Sequence, residues 1–122
     1  MFSSRLSVVN YYHQQNLSGS LSHNPVNSIV EDEYQTLWVG TVEGGLNCRL
    51  KGSDSFLHYT TETPASLAHN TVSVLMLGDE DRLYVGTWGG GLGWINRKPS
   101  ASKRYMPVPL NDPLCQVWLL TL

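Results

Sequence analysis

The side chains with the most chemical capacity here are four histidines, two cysteines and two short acidic runs. A metal site or a general base needs such groups to converge. HExxH, CxxC and any tight His/Asp/Glu cluster are missing from the sequence, so neither a metal nor a cofactor is expected. His23 and His69 each precede an asparagine, Asn24 and Asn70, in matching contexts. Two like positions read as a loop role shared by two copies of one unit, rather than as a catalytic base. His13 and His58 fall near the ends of expected strands. Cys48 and Cys115 lie among apolar residues and read as small core side chains rather than a disulfide. The runs Glu31-Asp32-Glu33 and Asp79-Glu80-Asp81 lack the spacing of a calcium loop and read as solvated hairpin charges. Gly89-Gly90-Gly91 has no following Lys-Ser/Thr and no helix, so it is not a phosphate loop. The groups left are suited to a neutral polyol. The indole of Trp88 can cover an apolar sugar face, Glu43 can accept from hydroxyls, and His23, Asn24, His69 and Asn70 can exchange hydrogen bonds.

These groups are positioned by a repeat. Residues 21–59 align with residues 67–105 at an offset of 46 without a gap, and 12 of the 39 positions are identical. The shared frame is LxHNxV…LxVGTxxGGL…Y. Each copy reads as four short strands. Val26–Val30 and Val72–Leu77 are dense apolar runs, as expected of first strands buried on both faces. Leu37–Thr41 and Leu83–Thr87 are rich in β-branched and aromatic residues, as second strands. Turns at Gly44-Gly45 and Gly90-Gly91 need backbones able to reach positive φ. With Gly40 and Gly86 they form the structural glycines of the repeat. Third strands start at Leu46 and Leu92, and fourth strands end in the aromatics Phe56, Tyr59 and Tyr105. Trp38, inside a second strand, is expected to pack between units.

Four strands per period of about 45 residues is the pattern of a β-propeller blade. The expected fold is therefore all-β: a partial β-propeller of four-stranded antiparallel blades, about two and a half of them. Residues 1–20 are expected to hold the last strand and loop of a preceding blade, with Val8–Tyr12 as that strand. Residues 21–66 and 67–109 are whole blades, and 110–122 the first strand of a following, truncated blade.

Composition agrees. Ser, Thr, Asn, Gly and Pro supply 46 of the 122 residues, while charged residues are only 15%. A helical bundle needs the reverse balance. Eight Lys and Arg face ten Asp and Glu, so phosphate-driven nucleic-acid binding is not expected. No run reaches the roughly 18 apolar residues of a membrane span, and no signal peptide is read at the N-terminus, so direct membrane contact is not expected of this segment.

The stretches LSHNPV…EDEYQTLWVGTVEGGL and LAHNTV…GDEDRLYVGTWGGGL resemble the two-component regulator propeller repeat. Tyr84 in place of the usual Trp, and Leu77-Gly78 in place of the usual Glu-Asp, depart from it. The resemblance implies the periplasmic sensor region of a bacterial hybrid histidine kinase, many of which govern polysaccharide use. It implies a non-catalytic role for this segment, with a glycan-derived oligosaccharide as ligand, and the candidate face is His23, Asn24, Glu43, His69, Asn70 and Trp88. Partners expected on the same ground are neighbouring blades or other copies of the chain. A protein-binding scaffold propeller, and a propeller lyase of the streptogramin-lyase type, are the alternatives.

Overall fold

The computed structural model describes residues 21, 25–65, 67–109 and 111–113. The expected strands at Val8–Tyr12 and in 114–122, together with His23, Asn24 and Cys115, lie outside the described residues. Among the described residues, eight strands form two four-stranded antiparallel meanders, the blades of a partial propeller. The first holds β1 (Val26–Glu31), β2 (Leu37–Thr41), β3 (Leu46–Arg49) and β4 (Leu57–Tyr59). The second holds β5 (Val72–Leu77), β6 (Arg82–Thr87), β7 (Gly91–Asn96) and β8 (Met106–Pro107). Of the contacts between blades, the most extensive run from β1 and β2 to β5, which makes the first strands the inner ones.

The blades share one core. Trp38, Leu46 and Cys48 of the first pack on Val72, Leu75, Leu83, Val85 and Ile95 of the second, all buried. Trp38 is fully buried there, as its place in a second strand predicts. Each such aliphatic side chain contributes about 1.5–3 kcal/mol on full burial. Gly40 is what permits the approach: a Cβ there would stand 2.7 Å from Val72 Cγ1. Polar bonds fix the register across the seam. Asn27 Nδ2 donates to Val72 O at 3.1 Å, and Leu75 N donates to the Ser28 hydroxyl at 3.3 Å.

Two expectations are corrected. First, neither first strand is buried on both faces: β1 alternates, with Ile29 60% exposed, and β5 leaves Met76 half-buried and Leu77 exposed. Leu75, the equivalent of Ile29, is buried because the first blade covers it, whereas no described blade covers Ile29. Second, Tyr105 does not end a fourth strand but precedes it. The strand pairs Gly93 with Pro107 and Trp94 with Met106, three residues further along than the first blade's register. Gly93 stands where the first copy has Asn47, and the Tyr105 ring occupies the place its Cβ would take. The buried ring is held there by Tyr105 N donating to Ala65 O at 2.9 Å. Phe56 likewise lies just before β4, in a smaller core on the far side of the first blade with Leu21 and Val39.

Candidate functional site

The VGTxxGGL frame builds one end of the site. The hydroxyls of Thr41 and Thr87, both fully buried, donate to the carbonyls of Gly45 and Gly91 at 2.8 and 3.0 Å. Each closes the turn between second and third strands. Positive φ falls on Gly45 (77°) and Gly91 (81°), and on the pair Glu43 (62°) and Gly89 (102°). Gly44 and Gly90, expected to need it, do not adopt it. Gly90 is required for space instead, since a Cβ would lie 2.6 Å from both Ala68 Cβ and Thr87 Oγ1.

The turn of one blade is tied to the loop that opens the next. Gly45 N donates to Asn70 O at 2.7 Å, and Glu43 N donates to the Thr71 hydroxyl at 3.1 Å. Trp88 N donates to Thr71 O at 2.9 Å. The loop is itself braced: Thr71 N donates to His69 Nδ1 at 3.0 Å, and Thr61 N donates to Asn70 Oδ1 at 2.8 Å. Glu43, His69, Asn70 and Trp88 therefore share one end of the two blades. His69 and Asn70 spend acceptors on their own backbone surroundings, so they shape this end as well as line it.

Beside them lies an open cavity of about 380 Å³, lined by Asn27, Val42, Thr71, Ser73 and Trp88. It contains two pairs of repeat equivalents, Asn27 with Ser73 and Val42 with Trp88. Asn27 and Ser73 both sit at a β-bulge, between Val26 and Ser28 in β1 and between Val72 and Val74 in β5. Bulges re-aim side chains, and here the same bulge turns a polar residue of each inner strand into the cavity. Trp88 is 70% exposed, the most exposed large apolar side chain described. The arrangement offers an indole face, an amide and two hydroxyls across the seam between blades. Asn27, Thr71 and Ser73 were not singled out from the sequence. The available signal was a polar residue in second place of the first strand, in both copies.

The opposite end holds the acidic runs, and they are not merely solvated charges. Asp32 is buried. Its carboxylate accepts from Tyr34 N (2.9 Å), Thr36 N (3.1 Å) and Trp38 Nε1 (2.9 Å), tying the β1–β2 turn to the core indole. Glu33 forms a two-pronged ion pair with Arg97 of the next blade, at 2.9 and 2.8 Å. The guanidinium holds the Glu33 carboxyl below its ordinary range, and Glu33 in turn raises Arg97. Arg97 also donates to the carbonyls of Gly78 and Arg82. The Tyr34 hydroxyl donates to Asp81 at 2.6 Å, which raises the phenol. The two contacts between blades, Tyr34 with Asp81 and Glu33 with Arg97, join residues 47 and 64 apart in sequence, which hairpin reasoning does not reach.

Cys48 is a buried free thiol, pushed up to about 11 by burial. Among the described residues no three His, Cys, Asp or Glu are grouped closely enough to hold a metal ion. No described helix is long and apolar enough to cross a membrane.

The deciding comparison concerns the first copy of the frame. Residues 20–43 match the two component regulator propeller. That family is a non-catalytic repeat. The matched stretch runs through β1 and β2 to the turn that carries Glu43. The second blade repeats its strand order, its bulge and its Thr-Gly closure 46 residues later. Residues 20–43 are thus similar to the two component regulator propeller, and the second blade repeats the architecture of that stretch. No curated protein matches the chain.

Proposed function

We propose that these blades belong to an extracytoplasmic ligand-sensing propeller of a hybrid two-component histidine kinase, and that the cavity beside Trp88 takes a glycan-derived oligosaccharide. One observation carries the reading: an exposed indole flanks an inter-blade cavity whose other walls are an amide, two hydroxyls and an aliphatic side chain. The volume lies in the range of small-ligand sites, about 300–1,000 Å³. Sugars present apolar C–H faces for an aromatic ring and hydroxyls for short polar groups. Glu43, next to Val42 and bonded through its N–H to the Thr71 hydroxyl of the cavity wall, strengthens the case. It holds a left-handed backbone where the other copy uses glycine, and such strain is retained where the side chain has a use. A ligand spanning the seam touches both blades, so its binding favours one spacing between them. In the parent protein that difference would pass to the kinase.

The test is calorimetry on the complete sensor region with a panel of neutral oligosaccharides. Trp88→Ala and Asn27→Ala are expected to weaken binding about tenfold or more, the loss of roughly 1.4 kcal/mol. Asp54→Ala, in the exposed turn before β4, is expected to leave it unchanged. Binding that survives both cavity changes overturns the site. A sensor that binds no oligosaccharide overturns the glycan reading in favour of a protein-binding scaffold.

A further inference from the structure

The groups around the Trp88 cavity are richer in acceptors than in donors. Asn27 spends an amide N–H on Val72 O at 3.1 Å, while its carbonyl oxygen stays uncommitted. His69 Nδ1 takes the Thr71 N–H at 3.0 Å, which a doubly protonated ring cannot do, so this imidazole brings no charge. Glu43 and Trp88 are both anchored to Thr71, a residue of the cavity wall. Glu43 N reaches its hydroxyl at 3.1 Å, and Trp88 N its carbonyl at 2.9 Å. The Glu43 carboxylate is exposed and has no bonded partner among the described residues.

Charge is divided unevenly between the two ends of the blades. Every described lysine and arginine is carried at the opposite end: where β3 stops, where β6 starts, or in the turns that follow β3 and β7. The end with the cavity has Glu43 and, in the loop before β5, Glu62. A sugar acid or a sulfated sugar would bring a like charge to Glu43 there and meet no described cation.

A free carboxylate beside an open indole, with further acceptors close by, is the chemistry that recognises an ammonium. An ammonium offers three donors and no acceptor. Its charge is drawn to an aromatic face as well as to a carboxylate. The same indole still covers the apolar face of the sugar that carries the amine. We infer that the oligosaccharide taken by this cavity contains a hexosamine with a free amine, and that Glu43 selects it. The inference rests on the glycan reading and names the class of glycan. It also gives the left-handed Glu43 a use that the glycine in the other copy could not supply.

Calorimetry on the complete sensor region tests it, with tetrasaccharides of one linkage built from glucosamine, N-acetylglucosamine, glucose or glucuronic acid. At about pH 7 an amine of this kind is largely protonated. At low salt the glucosamine form is expected to bind about fivefold or more tighter than the glucose and N-acetyl forms. The glucuronic acid form is expected to bind most weakly. Added salt should shrink the preference. Glu43→Gln keeps the length of the side chain and removes its charge, and should reduce the glucosamine-to-glucose ratio to under about twofold. Equal affinities, a ratio that survives Glu43→Gln, or a preference for glucuronic acid overturns the inference and leaves the glycan reading standing. Binding of none of these sugars, nor of any in the neutral panel, overturns both.

Discussion

Asp32 and Trp38 are replaced together in the second blade, by Gly78 and Tyr84, and the coupling can be measured. In the first blade the carboxylate receives the indole N–H and two backbone N–H groups. In the second the Tyr84 ring lies over the glycine, with Cδ2 2.8 Å from where a Cβ would be, so no side chain fits. Asp32→Ala strands the N–H of a fully buried indole, which costs about 1–3 kcal/mol. Losing two turn bonds adds about 0.5–1.5 kcal/mol each, reduced where water reaches the turn. A total near 3 kcal/mol is a large share of the roughly 5–15 kcal/mol that holds a domain folded. Urea unfolding followed by circular dichroism, at one fixed protein concentration, reads it directly. Trp38→Phe removes the donor, so the double variant should be less destabilised than the sum of the singles by about 1 kcal/mol or more. Importing the second blade's pair, Asp32→Gly with Trp38→Tyr, should recover part of the loss. The reasoning is refuted if Asp32→Ala costs under about 0.5 kcal/mol, or if the two single changes simply add.

Three other outcomes are expected. Glu43→Gly relieves a left-handed backbone and should raise stability by up to about 1 kcal/mol in thermal unfolding, while weakening oligosaccharide binding. Gly45→Val meets both a φ of 77° and the Tyr59 carbonyl, whereas Gly91→Val meets only a φ of 81° in open space; the former should lower the melting temperature by clearly more. The Glu33 carboxyl titrates below its ordinary value of 4.5 when folded, so its contribution is present above that pH and fades as acid passes through the lower folded value. With Glu33 half exposed the effect is small, under about 1 kcal/mol, and Glu33→Gln should flatten the acid side of a stability–pH curve without moving the neutral plateau beyond that.

Much of the architecture was legible in the sequence because it is local. Second strands rich in β-branched and aromatic residues, and turns marked by paired glycines, depend on residues a few positions apart. The 46-residue offset then shows that the same unit occurs twice. The end of the molecule shared by Glu43, His69, Asn70 and Trp88 follows from the meander order, which sends alternate turns to alternate ends. The role of Asp32 was not legible, because an acid in a turn reads as solvated until the indole it serves is placed beneath it. The register of β8 was hidden as well, because the reason for Gly93 appears only when the Tyr105 ring fills its place.

The sequence by itself determined two four-stranded antiparallel blades, their turns, and the residues each repeats. Those features arise from hydrogen bonds and backbone preferences within a hairpin. The tertiary structure decided which faces are covered and what lies across the seam. It buried Leu75 while leaving Ile29 in water, paired Glu33 with Arg97, and joined Asn27, Ser73 and Trp88 around one cavity. The physical reason is that burial and charge pairing belong to the space between blades. Two equivalent residues with the same local pattern acquire different environments according to whether a neighbouring blade stands against them.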